Sequence, residues 1–100
     1  FHTAIMEPAL ERLAKILSNT GIASTKVPVL ANVDALEHTD PTSIKNKLAR
    51  QVVEPVIWEN CIRKILDSGV EKLYEVGPGR VLAGLAKRIN RKIDIVNIQA

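Results

Sequence analysis

The stretch Lys72-Leu73-Tyr74-Glu75-Val76-Gly77-Pro78-Gly79-Arg80-Val81-Leu82-Ala83-Gly84-Leu85 decides the fold. Residues 72–76 read as a strand, Gly-Pro-Gly interrupts them, and Val81, Leu82 and Leu85 open a helix that runs to about Asn90. Residues 93–98 then form a last apolar strand. Helices alternating with short buried strands predict the α/β class, with part of a parallel sheet.

Working back from that stretch, a helix opening near Val56 carries Trp58, Cys61, Ile62, Ile65 and Leu66 on one side, and Ser68-Gly69 closes it. Asp40-Pro41 supplies an N-cap followed by proline at the first helical position, with Ile44, Leu48 and Val52 continuing a helix to about Val53, where Pro55 stops it. Residues 27–33 are short, apolar and β-branched, which predicts a strand, with Pro28 suiting an edge. Residues 34–40 read as polar connecting loop. At the front, Met6, Leu10, Leu13 and Leu17 predict a helix over 4–18, with Pro8 in its first turn and Asn19-Thr20-Gly21 as its stop. There is no internal repeat and no low-complexity tract.

One hundred residues at 46% hydrophobic content suffice for one small domain or a sizeable piece of a larger one. A chain of that size buries roughly 60 to 65% of its unfolded surface, a marginal core. No apolar run approaches membrane-spanning length. The net charge of +3 favours acidic partners. Phe1, Trp58 and Tyr74 are the three aromatics, too few for base-stacking platforms, so nucleic acid is not an expected partner. Cys61 stands alone, which excludes a disulfide framework or a zinc cluster and fits a reducing interior. No metal site is expected.

His2 is the first residue with chemical potential: at the mouth of a helix, its ring can take a proton from a hydroxyl or thiol near neutral pH. His38, between Glu37 and Thr39, reads as solvated. Gly77-Pro78-Gly79 has two readings, an anion cradle at a helix N-terminus or a turn whose glycines let strand and helix approach closely. Cys61, on an apolar helical face, reads as a buried inert thiol. Lys87, Arg88, Arg91 and Lys92 form a basic cluster near the end of the last helix, either a solvated face or a dock for an acidic partner. Gln51 lies four residues before Pro55, which has no N–H to give, so the Gln51 carbonyl is left free to accept the Nδ1 proton of an imidazole.

Four ordered segments resemble the malonyl-CoA:acyl carrier protein transacylase family and the acyltransferase domains of fatty acid and polyketide synthases. Phe1-His2-Thr3 with Met6-Glu7-Pro8-Ala9 resembles the family's active-site histidine segment. Pro28-Val29-Leu30-Ala31-Asn32-Val33-Asp34-Ala35 is similar to its Asn-Val-Asp segment. Arg50-Gln51-Val52 with Pro55-Val56-Ile57-Trp58 resembles its Arg-Gln-Leu and Pro-Val-x-Trp pair. Glu75-Val76-Gly77-Pro78-Gly79-Arg80-Val81-Leu82 is similar to its Glu-Val-Gly-Pro-Gly-Lys-Val-Leu. Together they run through nearly the whole chain.

The resemblance implies transfer of a malonyl group from malonyl-CoA to the phosphopantetheine thiol of acyl carrier protein through a malonyl-serine. His2 would be base and then acid, and the Gln51 main-chain carbonyl would orient its ring. Asn32 and Val81 would help wall the substrate cleft. Phe1 would favour malonyl by crowding an α-methyl group, a discrimination of about 1 to 3 kcal/mol at most. No cofactor is implied beyond the CoA thioester and the partner's phosphopantetheine. Arg80, Lys87, Arg88, Arg91 and Lys92 are the candidates for carrier-protein contact, on charge alone.

The family's serine elbow, Gly-His-Ser-x-Gly, and its carboxylate-binding arginine have no counterpart here; Ser18, Ser24, Ser43 and Ser68 lack the elbow's glycine spacing. By resemblance, residues 1–100 are the C-terminal part of an α/β-hydrolase-like large subdomain, inactive until the preceding N-terminal segment of the same enzyme is bound. The small ferredoxin-like subdomain would also lie outside it. The expected location is cytoplasmic, or an organelle if a transit segment has been removed. The rival reading is a non-catalytic phosphate- or CoA-binding module using the Gly-Pro-Gly turn.

Overall fold

The computed structural model describes residues 1–99. It divides into two compact units, Phe1–Cys61 and Ile62–Ala100.

In the first unit, a single 3-10 turn at Ala4–Met6 leads into helix α1 (Glu7–Ser18). Thr3 caps the turn, its hydroxyl accepting from the Ile5 N–H at 3.1 Å. Pro8 falls in the first turn of α1, where its missing N–H costs nothing. Helix α2 (Pro41–Arg50) starts as the sequence predicts: the Asp40 carboxylate accepts from the Ser43 N–H at 3.1 and 3.2 Å, and Pro41 takes the first position. Helices α1 and α2 pack together, with Ala49 buried.

Helix α2 ends earlier than expected. The N–H groups of Val52 and Val53 bond the carbonyls of Ala49 and Arg50, three residues back, so the chain tightens after Arg50 instead of continuing to Val53. Pro55 accounts for this, since it has no N–H to bond Gln51 and its ring disfavours helical backbone at Glu54.

The predicted strand over 27–33 contracts to β1 (Val29–Leu30), and it does not join the parallel sheet. It pairs antiparallel with β2 (Glu37–His38), Val29 opposite His38 and Leu30 opposite Glu37, inside the segment that reads as loop. The hairpin holds because Ala35 adopts a left-handed φ of 55° and the Asp34 carboxylate accepts from the Leu36 N–H at 2.9 Å.

The boundary between the units falls inside helix α3 (Trp58–Asp67). In the second unit, β3 (Lys72–Val76), α4 (Val81–Ile89) and β4 (Asp94–Ile98) form a β-α-β arrangement, the two strands parallel with Lys72 opposite Asp94 and Val76 opposite Ile98. This is the parallel pairing expected of the α/β class. Side chains alternate along each strand. Leu73, Glu75, Ile95 and Asn97 lie on the more covered face, while Tyr74 and Val76 (59% and 75% exposed) share the open one with Val96 and Ile98. Among the described residues, no helix is long and apolar enough to cross a membrane.

Candidate active site

The free carbonyl deduced from the Gln51–Pro55 spacing has a partner. His2 Nδ1 lies 2.6 Å from the Gln51 carbonyl oxygen, and the His2 backbone N–H donates to the Val52 carbonyl at 2.8 Å. One residue is thus tied twice to the end of α2. Its φ of 64° falls in the left-handed region, where non-glycine residues are uncommon and histidine is among the more frequent exceptions.

That contact fixes the chemistry of the ring. A carbonyl oxygen only accepts, so Nδ1 carries the proton and donates; neutral imidazole then has its lone pair on Nε2. The ring is exposed, leaving the basic nitrogen reachable. An imidazole aimed by a fixed acceptor, with its far nitrogen able to take a proton, is the working part of a general base.

Gln51 is held by its side chain as well. Asn32 Nδ2 donates to Gln51 Oε1 at 3.1 Å, and the Asn32 carbonyl accepts from the Ile57 N–H at 2.9 Å. Both amides border a cavity of about 130 Å³ whose apolar walls include Val29, Leu30, Ile44 and Leu48. The first unit therefore gathers His2, Asn32 and Gln51. Phe1, adjoining in sequence, is 84% exposed. Val81 is exposed at the first position of α4, in the second unit.

His38 is not solvated as its polar neighbours suggest. Its Nε2 lies 3.0 Å from Asp34 Oδ2 and its Nδ1 2.6 Å from Ser43 Oγ, with only 11% of the side chain exposed. Lys47 Nζ adds a contact of 3.6 Å to Asp34 Oδ2. The cluster joins the β1–β2 hairpin to the first turn of α2, so it braces the helix that Gln51 follows. The signal available in sequence was the Asp34–His38 spacing across a tight turn, followed by Ser43 beside a helix cap.

Burial alone pushes the Asp34 carboxyl up. The Leu36 N–H, His38 and Lys47 outweigh it and hold the carboxyl below its ordinary value of 3.8. A lowered folded value means that the stabilisation is fully present above the unfolded value and is lost as pH falls through the folded one. Asp34→Asn should therefore flatten the acid limb of stability below about pH 4, where wild type loses this contribution. Trp58 fluorescence during urea unfolding at several acid pH values reads this directly. Equal acid slopes would show that Asp34 contributes nothing.

Cys61 is buried, and burial, with the Asp34 charge adding, pushes its thiol up. A thiol so placed is a poor nucleophile, as the sequence suggests.

The Gly77-Pro78-Gly79 turn is not an open anion cradle. The Glu75 carboxylate accepts from the Leu82 N–H at 3.0 Å and from the Ala83 N–H at 3.2 Å, so the amides at the start of α4 already face an anion of the chain itself. Asn97 Nδ2 gathers the turn's carbonyls, 2.6 Å from Gly79 O and 3.2 Å from Gly77 O. A phosphate would meet a carboxylate there. The close-approach explanation of the glycines fails too: a Cβ on Gly77 or Gly79 would meet nothing within 4 Å. Their φ values of 133° and 82° are what require glycine.

Of the basic residues, Arg80 and Lys87 line one surface groove together with Ala83, Gly84 and Asn97. Arg88, Arg91 and Lys92 are exposed elsewhere on the second unit. Among the described residues no three metal-ligating side chains converge.

No family model matches the chain. Among curated proteins it is 40% identical over 98 residues to the malonyl CoA-acyl carrier protein transacylase of Bacillus subtilis, covering 98% of this chain and 31% of that protein. A 1.7 Å crystal structure of an acyl carrier protein S-malonyltransferase from Vibrio cholerae superposes with a TM-score of 0.91 at 44% identity, over 97% of this chain and 32% of that one. A malonyl-transacylase in complex with its type II polyketide synthase acyl-carrier protein gives a TM-score of 0.91 at 37% identity, over 97% of this chain and 31% of that one. The chain spans about a third of the length of the curated relatives it matches.

Proposed function

We propose that this chain, similar over 98% of its length to a malonyl CoA-acyl carrier protein transacylase, is part of a member of that family, and that the whole protein moves a malonyl group from malonyl-CoA to acyl carrier protein, with His2 as the proton carrier. The observation that carries the reading is the 2.6 Å contact between His2 Nδ1 and the Gln51 carbonyl. It commits Nδ1 to donation and leaves Nε2 as the base.

The nucleophile is a serine in the part of the enzyme beyond these residues. His2 Nε2 takes the serine proton as the oxygen attacks the thioester carbon, and the tetrahedral intermediate collapses with loss of CoA thiolate, which receives that proton. In the return half, His2 takes the proton of the phosphopantetheine thiol, sulfur attacks the malonyl ester, and the proton goes back to the serine oxygen. Each half balances without any other acid or base. Phe1, one residue before the base, would favour malonyl over branched acyl groups. The carrier would dock by charge on Arg80, Lys87, Arg88, Arg91 and Lys92, in a reducing cytoplasmic setting.

Intact mass of the complete protein after mixing with malonyl-CoA alone tests the two-step scheme. The expected result is a single malonyl adduct that disappears when phosphopantetheinylated carrier is added. A protein that malonylates the carrier without ever gaining that adduct transfers directly, and the serine scheme is then wrong.

The rival, a phosphate module on the Gly-Pro-Gly turn, has no observation in its favour, since Glu75 occupies the amides that it requires.

A further inference from the structure

We propose that Asn32 is a positioning residue for the His2 relay, acting through the side chain of Gln51. The inference rests on the reading of His2 as the proton carrier and assigns the Asn32 amide a task other than lining the acyl cleft.

Gln51 is the first residue past α2, at a point where helices fray and where the usual donor to its carbonyl is missing because Pro55 stands four residues on. The peptide that bears the Gln51 carbonyl is held by the Val52 N–H, bonded to the Ala49 carbonyl at 3.2 Å, and the preceding peptide by the Gln51 N–H, bonded to the Lys47 carbonyl at 3.1 Å. Beyond these bonds and the His2 contact, the side chain adds a further hold, the bond from Asn32 Nδ2 to Gln51 Oε1 at 3.1 Å. Asn32 is itself anchored, because its carbonyl accepts from the Ile57 N–H.

The side-chain bond steadies the Gln51 α-carbon to which that carbonyl is attached, and so adds to what fixes its direction. That direction sets the orientation of the imidazole, and the tautomer follows. The Asn32 amide bonds Gln51 and not His2, so its effect should appear in the chemical step and not in substrate affinity. With an amide donor spent on Gln51, Asn32 also has less to offer a malonyl carboxylate.

The test is a double-mutant cycle in the complete protein, with Asn32→Ala, Gln51→Ala and both together, read by steady-state malonylation of the carrier. Gln51→Ala keeps the main-chain carbonyl and removes only the side-chain hold. Each single variant should lower kcat about tenfold with KM for malonyl-CoA unchanged, and the double variant should be no worse than either single, since both remove one interaction.

Three results would overturn the proposal: unchanged kcat in Asn32→Ala, a rise in KM with kcat preserved, or losses that multiply in the double variant. If Asn32→Ala does not fold, Gln51→Ala decides alone, a drop in kcat supporting the side-chain hold and an unchanged kcat removing it. His2→Ala run in parallel separates the two layers. Near-normal turnover there sinks the relay itself, whereas an inactive His2→Ala with a fully active Asn32→Ala sinks only the positioning role.

Discussion

Replacing His2 by Ala in the complete enzyme is expected to cut malonyl turnover at least about a thousandfold. A serine hydroxyl is a weak nucleophile at neutral pH, and in the proposed scheme the imidazole would serve it twice, once in each half of the transfer. Removing the base leaves whatever catalysis comes from binding and polarisation, which falls short by that margin in related serine-histidine systems. KM for malonyl-CoA should change little, because in the proposed scheme the ring would meet the reacting atoms and not the nucleotide. His2→Gln is a useful companion, since its amide nitrogen can still donate a hydrogen bond but its side chain cannot accept a proton. Both variants should be inactive and folded by circular dichroism; a His2→Ala enzyme turning over at a tenth of the wild-type rate would remove His2 from the mechanism.

The second large effect concerns stability. Glu75→Ala should destabilise the complete protein by about 3 to 6 kcal/mol, since it deletes two charge-assisted hydrogen bonds that each contribute about 1.5 to 3 kcal/mol. The carboxylate is 8% exposed and faces the positive end of α4, so water replaces it poorly. Glu75→Gln should lose less, because an amide oxygen still accepts one of the two N–H groups. Urea unfolding midpoints at constant slope measure both. If Glu75→Ala unfolds where wild type does, the bonds at the head of α4 are incidental.

Much of this was legible in the residues. The limits of β3 follow from the apolar run before Gly77, and the capped start of α2 from Asp40-Pro41. The open carbonyl at Gln51 follows from counting four residues to Pro55. What escaped detection has physical reasons. Strand β2 is two polar residues long, below the length at which alternation carries a signal, and it exists because β1 pairs with it. The His38 cluster depends on that pairing, so a reader who takes 34–40 for a loop leaves the imidazole in water. Glu75 escaped too: nothing local in a strand residue announces that its side chain reaches amides seven and eight positions onward. The double hold on Gln51 needs Asn32 to arrive from the β1 segment, a tertiary fact with no periodicity.

The bare side of the β3–β4 pair carries one more implication. A parallel pair is ordinarily sheltered on both sides, yet here Tyr74, Val76, Val96 and Ile98 present a strip of hydrocarbon to water. Handled by itself, this hundred-residue piece should clump through that strip long before it meets a thioester, which light scattering on dilution would register.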